Sequence, residues 1–212
     1  MEPREWPHIA GTYDVVATDY AERFSGELDG KPFDRELLDR LASDVAGRGP
    51  VCDLGCGPGQ IGGYLAGHGC DVLGVDLSPG MLRCARERQR DLAFLTGDMR
   101  ALPLADASCV AVACFYSLIH IPRAQVPAAI AEMSRVLRPG GSLILAVHEG
   151  TGEAHVDGWF GYALSVDATL LRGGELTGLL DMAGFTDCRA TLREPYPSEP
   201  QQRRLYVRAT RD

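Results

Sequence analysis

Lysine is all but missing from this chain: among its 21 basic residues, Lys31 alone is not arginine, which reads as a compositional bias rather than as arginine-specific chemistry. Basic residues are outnumbered by 29 acidic ones, for a formal net charge of −8. A general nucleic-acid binder needs a basic face to neutralise phosphates, so this balance argues against one, and a small neutral or cationic ligand fits better. Long apolar runs are lacking too. The longest, residues 109–119, is far short of the roughly 20 residues that span a bilayer. The first eleven residues, MEPREWPHIAG, carry no apolar signal region and no cleavage signal, so a soluble cytoplasmic protein with no membrane partner is expected. Seven cysteines cannot form a complete disulfide framework, and they are expected as buried thiols. Cys52 and Cys56 make a CxxxC pair, but position 59 is glycine where an iron–sulfur motif needs a third cysteine. No Cys or His grouping has zinc spacing, so no metal is expected. At 212 residues the chain is long enough for one α/β domain and too short for two.

What the chain does have is a glycine loop. Residues 51–66, VCDLGCGPGQIGGYLA, open with a short apolar run ending in Asp53. They pass through Gly55, Gly57 and Gly59, and resume with Ile61, Tyr64 and Leu65 at helical spacing. This is a strand, a turn and a helix start, and glycines at alternate positions let a ligand lie directly on the backbone. Gly57, Gly59 and Gly62 also fit the GxGxxG spacing of dinucleotide-binding folds, a weak signal alone. Asp53 tips the balance. A carboxylate at the strand end repels a pyrophosphate and welcomes a cation, so S-adenosylmethionine suits the loop better than a nicotinamide dinucleotide.

The rest of the chain repeats the pattern. DVLGVD ends a strand at Asp76, with Ser78 and Pro79 as helix cap and first-turn proline, and LAFLTGD ends the next strand at Asp98. The acidic strand ends are 76 − 53 = 23 and 98 − 76 = 22 positions apart, about one strand plus one crossover helix. Right-handed crossovers then set all three carboxylates along one edge of a parallel sheet, where open α/β folds bind ligands. Asp76 is placed to accept from the ribose hydroxyls and Asp98 from the adenine amine, with Leu77, Met81 and Met99 as apolar walls. SCVAVACFY and GSLILAVHEG read as strands buried on both faces. Residues 115–120 and 148–150, just past them, border the ligand on the methyl-leaving side. Ahead of the loop, residues 12–24 and 33–45 read as amphipathic helices. Tyr13 and Tyr20 on the first are either lid residues or helix-to-sheet packing.

On these motifs the sequence resembles the class I SAM-dependent methyltransferases, in their small-molecule branch. DLGCGPGQ is similar to the family's first motif, GVDLSPGML to its second, FLTGDMRALPLADAS to its third and EMSRVLRPGGSLILAV to its late helix and strand. Together they cover roughly residues 51–147. The resemblance implies an α/β Rossmann-like three-layer sandwich with a seven-stranded sheet of order 3214576, strand 7 antiparallel. It implies methionine-moiety binding at Asp53, Gly55 and Gly57, ribose at Asp76, adenine at Asp98 and Met99, and Tyr20 over the cofactor. The expected cofactor contacts are completed by Cys56, Leu77, Met81, Gly97 and Phe115, with S-adenosylhomocysteine as product. A single methyltransferase domain is expected, with a helical lid (1–48), a cofactor core (49–148) and a substrate loop plus C-terminal hairpin (149–212).

The long connection TGEAHVDGWFGYALSVDATLLRGG, rich in Trp159, Phe160 and Tyr162, is expected either as an acceptor wall or as a local apolar plug. If the acceptor arrives protonated a base is needed. His120 is the first candidate, ahead of His148, His155 and Glu149, while His8 and His68 read as surface residues. The expected activity is methyl transfer to a small molecule by in-line displacement. The alternatives are a nicotinamide-dependent oxidoreductase and a non-catalytic SAM-binding protein that keeps the fold. Acceptor identity, attacking atom and oligomeric state are not written in the sequence.

Overall fold

The computed structural model describes residues 9–212; His8, expected at the surface, lies outside the described residues. Two helices come first, α1 (Ile9–Phe24) and α2 (Pro32–Val45). The alternating core follows as β1 (Pro50–Leu54), α3 (Gln60–Gly67), β2 (Asp71–Asp76), α4 (Pro79–Arg88), β3 (Ala93–Thr96), β4 (Cys109–Phe115), α5 (Val126–Val136) and β5 (Leu137–His148). The chain closes with β6 (Glu153–Asp157), β7 (Ser165–Thr169), α6 (Gly173–Met182), β8 (Phe185–Arg193) and β9 (Arg204–Arg211).

Seven strands form one sheet in the order β3-β2-β1-β4-β5-β9-β8. The first five run parallel, and β9 is antiparallel to both β5 and β8. With the separate β6–β7 hairpin set aside, this is the expected 3214576 order with its last strand reversed.

Period-two alternation divides the central strands between two cores. Val112 and Cys114 of β4, Leu143, Leu145 and Val147 of β5, and Leu205 and Val207 of β9 point to the side covered by α5 and α6. Ala111, Ala113 and Phe115, Ile144 and Ala146, and Tyr206 point to the side covered by α2 and α3. α5 joins the first core through Val126, Ala129, Ile130, Met133 and Val136, all fully buried at spacings of three and four. Each large side chain so buried contributes about 1.5–3 kcal/mol. The sheet is therefore fixed through its middle, and its carboxyl edge is left free for function.

Two segments differ from the sequence-based expectation. RPGG, expected to end α5 before a strand begins, is already part of β5: Leu137 pairs with Cys109, the register shifts, and regular pairing resumes at Ser142 with Ala111. The long connection after β5 is a hairpin of two short strands rather than a loop, with Glu153 paired to Thr169 and Asp157 to Ser165.

Candidate active site

The carboxyl edge of β1, β2 and β4 floors a cavity of about 410 Å³, and α1 forms part of its wall. The glycine loop takes the left-handed conformation at Gly55, Gly57 and Gly59 (φ 70°, 52° and 85°). At Gly55 the reason is close approach, since a Cβ would lie 2.1 Å from the Ser117 side chain. Over Gly57 the space is open, with no atom within 4 Å of a Cβ position. The loop is bound to the neighbouring strand by Gly55 and Cys56, whose N–H groups both donate to the Val75 carbonyl at 2.7 and 3.1 Å.

The acidic rim holds this loop as well as facing the cavity. Asp53, 2% exposed, accepts from Gly62 N–H at 2.8 Å, and burial pushes its carboxyl up to about 7. Asp76 accepts from Gly57 N–H and from Ser78 N–H, both at 2.8 Å. Burial raises Asp76 too, and those amides partly offset it. Asp98 is different. Arg100 grips both its oxygens, in part through a 2.9 Å Nε contact, and holds its carboxyl below the ordinary value. Most of the lone pairs expected for an adenine amine are already engaged.

One wall of the cavity is built from α1. Asp14 accepts from Ser78 Oγ at 2.6 Å and from Gly80 N–H at 2.7 Å, while Ser78 Oγ caps α4 by accepting from Met81 N–H. One carboxylate thus pins α1 to the start of α4. Tyr13 and Tyr20 stand one beside the other, ring centroids 5.7 Å apart, and both line the cavity. Tyr13 Oη lies 2.8 Å from His120 Nε2, and His120 Nδ1 lies 3.0 Å from the Asp167 carbonyl. A carbonyl only accepts, so Nδ1 carries the proton; burial pulls the imidazole down to about 4, so it is neutral. Nε2 is then an acceptor, and Tyr13 donates to it.

The chain matches a family model described as a methyltransferase domain over residues 51–141. It is 36% identical over 169 residues to a demethylmenaquinone methyltransferase from Beutenbergia cavernae, covering 78% of this chain and 68% of that protein. The chain belongs to the class I SAM-dependent methyltransferases.

A malonyl-[acyl-carrier protein] O-methyltransferase from Serratia marcescens is 36% identical over 140 residues, 65% of this chain and 48% of that relative. The chain thus spans about two thirds of the first relative's length and about half of the second's. Among solved structures, a magnesium protoporphyrin IX methyltransferase from Synechocystis with bound SAM superposes with a TM-score of 0.73 at 20% identity. That superposition covers 96% of this chain and 95% of the other, and it supports the fold.

In this methyltransferase every cofactor contact expected from sequence lines the one cavity: Tyr20, Asp53, Gly55, Cys56, Gly57, Asp76, Leu77, Met81, Gly97, Asp98, Met99 and Phe115. The lining fits a nucleoside carrying positive charge, because open space lies over Gly57 and carboxylates face the same hollow. The same carboxylates weigh against the diphosphate of the alternative nicotinamide reading. Among the described residues, no group of three or more His, Cys, Asp or Glu is arranged to hold a metal, and no helix is long and apolar enough to cross a membrane.

His120 joins the cavity and His148 does not. His148 ends β5 with its ring 5.6 Å from that of Tyr116, its Nδ1 buried without a hydrogen bond, and burial together with Arg204 pulls it down to about 4. Trp159, Phe160 and Tyr162 are not among the lining residues either. Phe160 packs on Tyr20 and Phe24 at 5.6 and 6.1 Å, Trp159 on Phe160 at 5.2 Å, and Tyr162 Oη donates to Asp19 at 2.9 Å. The aromatic hairpin therefore backs α1, and its place follows from those ring contacts. His155 lies on the hairpin between Asp167 and Asp157, at 2.6 and 3.0 Å. His68 is at the surface, stacked on Tyr64.

Sequence reasoning missed Glu27, Lys31, Asp34 and Gln60, all of which line the cavity, while Tyr116 lines it as expected of residues 115–120. Tyr116 follows the last residue of a buried strand and adopts φ 55°, a conformation costly for a bulky side chain. Its hydroxyl reaches Tyr206 Oη at 2.8 Å, and Tyr206 donates to the buried Asp34 at 2.8 Å.

Proposed function

We propose that this methyltransferase transfers the methyl group of S-adenosylmethionine to a small organic acceptor by in-line displacement, with Tyr13 and His120 receiving the acceptor's proton. The supporting observation is that a phenol donating to a neutral imidazole stands in the same cavity as the acidic rim. When bound, S-adenosylmethionine supplies a methyl group activated by positively charged sulfur.

The chain's own part is to orient, exclude water and move a proton. Asp53, Gly55, Cys56 and Gly57 underlie the methionyl end in this reading. Asp76 takes the ribose, while Leu77, Met81, Gly97, Asp98 and Met99 enclose the adenine. Tyr20 and Phe115 shield the reacting centre. Holding the acceptor atom in line with the bond to be broken lowers the barrier by several kcal/mol, with ~7 to 11 as the ceiling for well-oriented reactions. The acceptor gives its proton to Tyr13 Oη as Tyr13 passes its own to His120 Nε2. Burial raises the Tyr13 phenol, so the resting residue is neutral and the two transfers are coupled.

The two relatives, named for demethylmenaquinone and for malonyl-[acyl-carrier protein], support acceptors of organic rather than nucleic-acid chemistry. The test is an acceptor panel read by S-adenosylhomocysteine formation. With the acceptor found, His120→Ala is expected to lower kcat about a hundredfold or more while S-adenosylhomocysteine affinity stays near wild type. Equal loss of both contradicts the base assignment.

A further inference from the structure

Glu27 and Lys31 form an ion pair in the cavity wall that the proton relay and the ribose contact leave unused. Lys31 Nζ lies 2.5 Å from Glu27 Oε2, and the two side chains are only 14% and 15% exposed. Both are held from behind. Glu27 Oε1 accepts from Gln60 Nε2 at 2.7 Å, and Gln60 opens α3 directly after the glycine loop. The Lys31 ammonium sits 4.9 Å from the centre of the Tyr116 ring, whose hydroxyl is in turn fixed by Tyr206 and Asp34. Gln60 Oε1 is buried with no hydrogen-bond partner, so the polar wall is incomplete as it stands.

A cation and an anion held side by side beside the glycine loop match, with signs reversed, the zwitterion of an α-amino acid. Asp53 is less suited to be its counter-charge: it is 2% exposed and already engaged with the Gly62 amide. We propose that the Glu27–Lys31 pair is a clamp for the zwitterionic methionyl end of the cofactor, Lys31 taking its carboxylate and Glu27 its ammonium. Each ion exchanges one charged partner for another, so no half-buried charge is stranded when the ligand enters. Asp53 then serves to hold the turn of the loop. This inference rests on the methyltransferase reading above.

The experiment is calorimetric binding of two probes, S-adenosylhomocysteine and 5′-methylthioadenosine, which share the nucleoside and differ in the amino-acid end. Lys31→Met is expected to weaken S-adenosylhomocysteine by roughly ten- to a hundredfold, the loss of one charge-assisted contact, and to leave 5′-methylthioadenosine within about twofold. Lys31→Arg, which keeps the charge, is expected to recover most of that loss. Glu27→Gln, nearly isosteric, is expected to show the same selective weakening and keeps the test open if Lys31→Met melts early. Equal weakening of both probes in Glu27→Gln and Lys31→Met, or no weakening of S-adenosylhomocysteine, overturns the clamp. Failure of the wild-type protein to bind either nucleoside overturns the methyltransferase reading itself, a separate outcome.

Discussion

Tyr13 Oη donates to His120 Nε2 at 2.8 Å across 107 positions of sequence. The contact joins α1 to the turn that follows β4, and it directs a neutral imidazole at the cavity through a phenol. With Nδ1 committed to the Asp167 carbonyl, the ring cannot rotate to offer its other nitrogen without losing that bond.

Replacing Tyr13 by phenylalanine keeps the ring and removes the donor. Turnover is expected to fall about a hundredfold, the lower bound for a positioned proton-transfer group, with S-adenosylhomocysteine affinity nearly unchanged. Steady-state kinetics and calorimetry read the two quantities. A purely packing role for Tyr13 would leave kcat intact.

The pH profile follows from the same ring. A base held down to about 4 by burial is neutral throughout the range from pH 5 to 8. Acid-side activity is therefore expected to persist below pH 6 and to fail only as pH drops toward 4. A kcat that halves near pH 6.5 in the wild-type enzyme would assign the proton acceptor to an exposed group instead.

Asp76→Ala removes the acceptor for two backbone amides, Gly57 and Ser78, as well as the proposed ribose contact. Cofactor affinity is expected to drop by about 1–3 kcal/mol. Calorimetry with S-adenosylhomocysteine checks it, and unchanged affinity would remove Asp76 from the ribose role.

Asp53 carries a stability cost with a definite sign. Its folded carboxyl stays protonated up to about 7, whereas an unfolded carboxyl ionises near its ordinary value of 3.8. Between those values the folded state binds more protons, so stability falls as pH rises and the full cost is present above pH 7. Asp53→Asn keeps an acceptor for Gly62 and abolishes the charge. Denaturant titrations are expected to show the variant on the order of 2–4 kcal/mol more stable above pH 7, the gap closing toward pH 4. Equal stability at pH 8 would mean that Asp53 is well solvated when ionised.

Much of this molecule could be read from its residues in order. The Asp53, Asp76 and Asp98 spacing came within two residues of the strand ends, β2 ending at Asp76, β1 one residue past Asp53 and β3 two residues before Asp98, because one strand plus one crossover helix has a narrow range of lengths; the two buried strands announced themselves as continuous apolar runs. Illegible were the contacts made only when distant segments meet. Asp34 reaches Tyr206 across 172 positions and Glu27 reaches Gln60 across 33, and no local pattern encodes either. Asp98 was open to a different error. Its partner Arg100 lies two residues away, close enough to take the lone pairs that spacing alone left free. The β6–β7 hairpin hid for a third reason: EAHVD and SVDAT do alternate, but each offers only one alanine and one valine as its apolar residues, and β6 is largely exposed.

Six of the seven thiols are buried, and Cys188 alone has intermediate exposure. Burial raises Cys114 to about 11, so while the fold holds it stays an unreactive thiol. An alkylating reagent added to the folded enzyme thus meets one accessible sulfur and six that must wait. Cys56, packed with Leu82, Ala85 and Phe94 beneath the glycine loop, waits for that small cluster to loosen, while Cys52 and Cys114 wait for the sheet itself to come apart. Differential labelling of these three would clock local loosening under the loop against global unraveling with reporters the chain already carries.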